Sequence, residues 1–329
     1  MEQNPYVKQF PDLMAGKKIM YVHGFGSSAQ SGTVRLLRET FPEAEVIAHD
    51  LPIEPHEAMD LLHGVCAEKC PDLIIGTSMG GLYTEQLYGH DRICVNPAMH
   101  IADTMPAHGL TGKQTFFNPR QDGVQEFYVD KPLVKRYREV QEMAFQPAHL
   151  TKEEQHRCYG LFGDEDEVVD TFDVFREHYP HAIHFHGGHR ITDKTFMHYI
   201  VPVVRWIDDR QERRQRPIIY IDFETLRDGY GKPTSSMHKA YELLIERYQV
   251  FIVVPTDTAS DAKPWIEDHL SAPAWHHVFY TDRPDLLYGD YYVVSEERTD
   301  SMATQLEYGS DEFKTWEEII TFFSRLGGQ

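Results

Sequence analysis

Residues 72–83 read DLIIGTSMGGLY. A short apolar run, Leu73 to Ile75, leads straight into glycine, and a run of that length bounded by glycine suits a buried strand. Gly76-Thr77-Ser78-Met79-Gly80 has the pattern G-x-S-x-G. Residues 77–81 are expected to turn sharply, with a helix following over residues 82–88. Chemistry explains the residue types. A serine on a sharp strand-to-helix turn takes a strained backbone conformation that exposes its hydroxyl, and side chains at the flanking Gly76 and Gly80 would collide with neighbouring elements. At the start of a helix, free backbone N–H groups favour negative charge as it develops on a reacting oxygen. Ser78 is therefore the candidate nucleophile.

The other parts of such a site can be sought outward from this turn. Residues 18–23 (KIMYVH) read as a strand that ends in His23-Gly24-Phe25-Gly26-Ser27-Ser28. Glycines there let backbone approach an oxyanion, and the N–H groups of Phe25 and Met79 would form the hole. A phosphate-binding loop is the rival reading. It is disfavoured because G-x-G-x-x-G is broken by Ala29 and no Walker lysine follows. An acid and then a histidine should follow the serine in chain order. Residues 161–169 (LFGDEDEVV) supply the acid after another expected strand. Asp166 is preferred for its G-x-x-D-x-x-V spacing, with Asp164 the alternative and Glu165 and Glu167 read as surface charge. His189, in HGGHR at 186–190, is the candidate base on a flexible glycine loop. A metal cluster of His184, His186 and His189 is disfavoured, because alternate residues of a strand with no supporting carboxylate or thiolate pattern make a poor ligand set.

Further expected strands cover residues 45–49, 92–96, 156–162 and 182–185, with helices over 33–41, 55–70 and 197–208. Strands alternating with helices through short connections imply a parallel sheet covered on both faces. Residues 99–154 break the pattern and are expected to form a lid-like insertion, irregular apart from a helix near 134–143. The charge-dense run DDRQERRQR at 208–216 is the expected linker. Beyond it, strands over 217–222, 250–254, 277–280 and 291–294 and helices over 234–248, 262–269 and 315–325 make a second α/β domain spanning 217–329.

Composition narrows the class of partner. The 329 residues include 32 basic and 52 acidic ones, a net charge of -20. Such a surface repels nucleic-acid phosphates and anionic lipid, so neither nucleic acid nor membrane is an expected partner. There is no apolar run of membrane-spanning length, and residues 1–16 lack the apolar core of a signal peptide. The four cysteines, Cys66, Cys70, Cys94 and Cys158, read as buried thiols of a reduced protein, and a cytoplasmic location is expected. The oligomeric state is left open.

These motifs together resemble the small bacterial α/β-hydrolase esterases of the YqiA/YcfP type. The resemblance rests on MYVHGFGSS at 20–28, IIGTSMGGLY at 74–83, CVNPA at 94–98, Asn118-Pro119, GLFGDEDEVV at 160–169 and HFHGGHRITD at 184–193. It implies a cofactor-free serine esterase or thioesterase acting on a small acyl ester, with Ser78, Asp166 and His189 as the triad. Residues 217–329 resemble a shortened haloacid-dehalogenase-like phosphatase domain of the deoxyribonucleotidase-like flavour, with a Rossmann-like sheet. Asp222, Thr256 and Arg283 fall where that family keeps its nucleophile, phosphate-binding and basic residues. Two departures matter: Glu224 replaces the second aspartate, and VVSEER at 293–298 puts Val294 or Ser295 where a metal-binding acid belongs, with Glu296 and Glu297 displaced. The resemblance thus implies a degenerate site. Mg²⁺ enters only if that domain is active, with a bifunctional enzyme or a non-enzymatic binding protein as the alternatives to a plain esterase.

Overall fold

The computed structural model describes residues 7–270, 274, 277–296 and 302–326. The chain divides into two compact units, Met1–Asp208 and Asp209–Gln329. No helix of the described residues is long and apolar enough to cross a membrane.

The first unit contains strands β1 (Lys18–Val22), β2 (Glu45–Ala48), β3 (Leu73–Thr77), β4 (Asp91–Val95), β5 (Gly112–Thr115), β6 (Glu126–Val129), β7 (Cys158–Gly163) and β8 (His181–Phe185). Six of them form one sheet in the order β2-β1-β3-β4-β7-β8, parallel throughout. Parallel strands need crossovers. Helices α1 (Gly32–Thr40), α2 (Pro55–Lys69) and α3 (Met79–Glu85) supply the first three. All five β4 residues and four of the five in β3 are buried, as expected of strands covered on both faces. From β1 the chain moves outward to β2, and from β3 it moves the other way to β4. The loops after β1 and β3 therefore diverge at the carboxyl edge, and a crevice at such a switch point is where open α/β sheets bind ligands.

Three local expectations are corrected. Helix α3 begins at Met79, three residues early, because Gly80 and Gly81 are helical residues under close packing rather than breakers. Cys70 is exposed; it closes α2 in the left-handed region, at φ 48°. The insertion is more regular than expected. It holds α4 (Ile101–Ala107), the β5–β6 antiparallel hairpin, α5 (Lys131–Gln141) and α6 (Lys152–His156). Pro106 lies within α4, and the β5 sequence GKQT is polar, so neither element carries a clear apolar period. Helix α5 starts where its chemistry dictates, with Asp130 accepting from Leu133 N at 2.8 Å and a proline in the first turn.

After α7 (Phe172–Arg176) and β8, a helix runs through α8 (Asp193–Thr195), a π-helical turn (Phe196–Ile200) and α9 (Val201–Gln211). The first residues of the charged run, 208–211, thus continue α9, while Arg214 and Arg216 pair with Asp209. The second unit carries β9 (Ile218–Asp222), β10 (Gln249–Val254), β11 (Val278–Tyr280), β12 (Tyr291–Val294) and β13 (Thr304–Glu307). They form a parallel sheet in the order β11-β10-β9-β12-β13. Strand β13 was not expected; only Leu306 of its four residues is buried, as befits an edge strand.

A buried ion pair ties the end of the insertion to the sheet. Arg92 on β4 is fully buried and donates to Glu154 Oε1 on α6 at 2.5 Å and to the Glu85 carbonyl. Glu154 also accepts from Gly89 N at 3.1 Å. Removing one member of a buried pair strands the other charge. Glu154→Ala should therefore destabilise the first unit by about 3–5 kcal/mol, read as a lowered urea midpoint; an unchanged midpoint would refute the pairing.

Candidate functional site

Ser78 stands at the junction of β3 and α3 with φ 55° and ψ −122°, a conformation that costs a non-glycine residue about 1–3 kcal/mol. The surroundings enforce it. Ser78 N donates to the Val95 carbonyl at 2.9 Å, and the Ser78 carbonyl accepts from Gly81 N and Ala98 N at 2.9 and 3.0 Å. The flanking glycines are required by close approach. A Cβ on Gly76 would lie 2.1 Å from Thr84 Oγ1 and 2.3 Å from the Gly80 carbonyl oxygen; one on Gly80 would lie 2.1 Å from the Val22 carbonyl oxygen.

His189 reaches Ser78 from the loop after β8. Its Nε2 lies 3.0 Å from Ser78 Oγ and its Nδ1 lies 2.8 Å from Asp166 Oδ2. A carboxylate can only accept, so Nδ1 carries a proton, and the other ring nitrogen, Nε2, faces the serine hydroxyl. The Asp166 side chain is 2% exposed. Burial works to raise its pKa, but hydrogen bonds from His189, Val169 N and Val168 N outweigh that and hold the carboxyl below its ordinary value. Asp166 is thus ionised and aimed. Asp164, the alternative acid, instead binds His186 Nδ1 at 2.6 Å and Gly187 N at 3.1 Å. Glu165 and Glu167 are exposed. The neighbouring histidines have partners of their own: His184 stacks on Phe172 and His181 on Tyr159.

The loop after β1 lies beside the serine: a Cβ on Gly24 would come within 3.2 Å of Ser78 Cβ. Neither Phe25 N–H nor Met79 N–H donates to another group of the protein among the described residues. The insertion fastens onto this loop, with Phe117 N donating to the Gly26 carbonyl at 2.7 Å, Asn118 Nδ2 to Ser27 Oγ at 3.0 Å and Ser28 Oγ to the Pro119 carbonyl at 2.6 Å. His23 anchors it from beneath. Its Nδ1 donates to the Gly24 carbonyl at 2.9 Å, while Nε2 accepts from Leu51 N at 3.1 Å.

Three participants escaped sequence reasoning. Asn96 is buried behind the site with its amide hydrogen-bonded to the loops that carry Asp166 and His189; a polar residue closing the apolar strand RICV was the available signal. His23 looked like one more strand residue. The hairpin's grip on the loop after β1 is non-local and left no sequence pattern.

In the second unit, Asp222 ends β9 and is 4% exposed. Its carboxylate accepts from Tyr292 OH at 2.6 Å and from Ser295 N and Oγ, each at 3.1 Å. Glu224 pairs with Arg227, Arg283 with Asp285, and Thr256 with Asp282. Glu296 is exposed, and Glu297 lies outside the described residues.

Residues 18–207, more than half of the chain, match the family described as "Uncharacterised protein family (UPF0227)". The chain belongs to UPF0227. The UPF0227 match includes Ser78, Asp166 and His189 and ends before the second unit. Among solved structures, this UPF0227 chain is similar to a monoacylglycerol lipase from Paleococcus ferrophilus, at 17% identity over 58% of this chain and 94% of that one, with a TM-score of 0.40. It is also similar to the esterase domain of a Rhodothermus marinus protein, at 15% identity over 60% and 88% with a TM-score of 0.39. A third is Est1E from Butyrivibrio proteoclasticus, at 16% identity over 62% and 91% with a TM-score of 0.37. Scores of this size do not bear on the reaction. The α/β-hydrolase assignment of the UPF0227 unit rests on its strand order and on the serine turn after β3.

The burial of His23 has a measurable consequence. Burial pushes its pKa from the usual 6.5 down to about 4. Below pH 6.5 the unfolded chain binds a proton that the folded chain refuses, so stability is fully present above that pH and falls as the pH drops toward 4. The full shift amounts to about 3 kcal/mol. In NMR the His23 Cε1–H resonance should stay at its neutral position down to pH 5; a midpoint near 6.5 would refute this environment.

Proposed function

We propose that the chain is a serine hydrolase that cleaves a small acyl ester, a carboxylester or a thioester, through an acyl-enzyme on Ser78. One observation carries this reading: a single imidazole bridges Ser78 Oγ and an ionised Asp166 whose side chain is buried, with the serine held in a strained turn.

The chemistry follows from the atoms. As Ser78 Oγ attacks the acyl carbon, its proton passes to His189 Nε2, and the imidazolium keeps its Nδ1–H on Asp166. The charge developing on the carbonyl oxygen needs donors. The Phe25 and Met79 N–H groups are the proposed pair, supported by their position beside Ser78 and by their lack of other partners. His189 then gives its proton to the departing alcohol or thiol, which leaves the acyl group on Ser78. A water, deprotonated by the same Nε2, attacks the acyl-enzyme and releases the acid. No step calls for a metal or cofactor. No nucleic-acid or membrane partner is proposed, and a cytoplasmic location is in keeping with the free thiols.

For the second unit we propose a haloacid-dehalogenase-like fold that has lost phosphoryl transfer. Its sheet order puts the ends of β9 and β12 at a switch point, which favours the fold. The donor set there does not fit Mg²⁺. Asp222 is engaged by Tyr292 and Ser295, and Val294 stands one residue past the pairing of Val293 with Ile221, level with Asp222. Mg²⁺ requires near-octahedral oxygen ligation, and this arrangement offers one carboxylate already taken. Asp222 alone cannot offset the charge of a transferring phosphoryl group.

Ser78→Ala should lower kcat/KM on p-nitrophenyl esters of graded acyl length by about a thousandfold or more with an unchanged circular dichroism spectrum. A variant keeping more than about a tenth of wild-type activity would contradict the nucleophile. Phosphate release from p-nitrophenyl phosphate with added Mg²⁺ should match the enzyme-free blank; release that is lost in Asp222→Asn would overturn the silent assignment.

A further inference from the structure

Asn96 is 2% exposed, belongs to no helix or strand, and takes no part in the chemistry above. It follows the last residue of β4 with φ 44°, a conformation that asparagine tolerates better than most side chains. Its three side-chain hydrogen bonds all lead to the loops that carry the acid and the base. Oδ1 accepts from Gly163 N at 2.8 Å, while Nδ2 donates to the carbonyls of Gly188 and His189, each at 3.2 Å. Gly163 opens the turn that delivers Asp166, its carbonyl accepting from Asp166 N at 3.3 Å. The orientation of the amide follows from its partners: reversed, it would set an oxygen against two carbonyl oxygens and an NH₂ against an N–H.

The backbone on either side completes the link. Asn96 N donates to the Leu161 carbonyl at 2.8 Å, the preceding Val95 carbonyl accepts from Ser78 N, and Ala98 N donates to the Ser78 carbonyl. One short segment, residues 95–98, therefore fixes the serine turn with its main chain and the acid and histidine loops with one side chain. The requirement is narrow: one acceptor, two donors, a short side chain and a positive φ. Aspartate has no donors when ionised, and glycine has no amide.

Resting on the serine-hydrolase reading, we propose that Asn96 is a positioning residue of the reaction: its amide sets the backbone of His189 against Asp166 and Ser78. A main-chain shift at His189 moves the ring directly, and a displacement of about 1 Å in a reacting group can cost about a hundredfold in rate. The effect falls on the chemical step, because Asn96 is buried and its amide is spent on Gly163, Gly188 and His189.

Two variants test it on p-nitrophenyl butyrate. Asn96→Gly keeps the positive φ and removes the amide. Asn96→Asp keeps the acceptor for Gly163 N but sets a negative charge against two carbonyls. Both should retain the wild-type circular dichroism spectrum, lower kcat by about ten- to a hundredfold and leave KM within about threefold. In NMR, both should move or broaden the downfield Nδ1–H proton of His189, a signal that general loosening away from the site leaves in place. Folded variants with kcat within about threefold of wild type and an unmoved signal overturn the proposal, as does a loss confined to KM. Should Asn96→Gly fail to fold, Asn96→Asp decides alone. Wild type and Ser78→Ala in the same assay separate the two levels: equal rates for those two refute the hydrolase reading itself, whereas a serine-dependent rate that is indifferent to Asn96 refutes only the positioning role.

Discussion

The first unit is organised around a backbone contact that tolerates no Cβ. Strands β1 and β3 are neighbours, and the turn after β3 comes so near the end of β1 that Gly80 sits against the Val22 carbonyl while Gly76 sits against Thr84 and the Gly80 carbonyl. That closeness drives Ser78 into a positive φ and starts α3 at once. The strain persists because sheet pairing, helix packing and the bonds to Val95, Gly81 and Ala98 over-determine the turn. Relaxing it would mean parting two strands of a sheet whose central residues are fully buried.

From that turn the electrostatics of the site follow in two tiers. At the surface of the crevice, His189 directs Nδ1 to Asp166 and Nε2 to the serine hydroxyl. Beneath it, burial holds His23 neutral across the pH range in which an exposed histidine would charge, even though its bond to the Gly24 carbonyl favours the charged ring. The same side chain thus serves opposite ends: in the proposed reaction one ring takes up a proton and gives it back, while burial bars the other from gaining one, so that the loop bearing Phe25 keeps its shape.

Much of this was legible in the sequence because it is local. The strand–glycine–serine–glycine run fixes the turn within five residues, and the preference for Asp166 over Asp164 follows from spacing alone. Asp164 engages His186, two residues before the glycine that leads to His189, so both acids lie near the histidine loop and only one points inward. What escaped was non-local or weakly patterned. Asn96 acts across 67 residues to Gly163 and 93 to His189, and no window of sequence relates them. The hairpin β5–β6 pairs four polar-rich residues with four others, too few to show a period. Helix α3 was expected late because glycines that usually end helices are here the condition for close packing.

The central claim is that Ser78 is the nucleophile of an acyl-transfer site, and covalent trapping addresses it most directly. Intact mass should rise by a single phosphonyl group after reaction with a fluorophosphonate at pH 8, with the added mass mapped to the peptide containing Ser78, and Ser78→Ala should remain unmodified. A wild-type chain that stays unmodified while correctly folded, or one modified at another residue with equal yield in Ser78→Ala, would contradict the account.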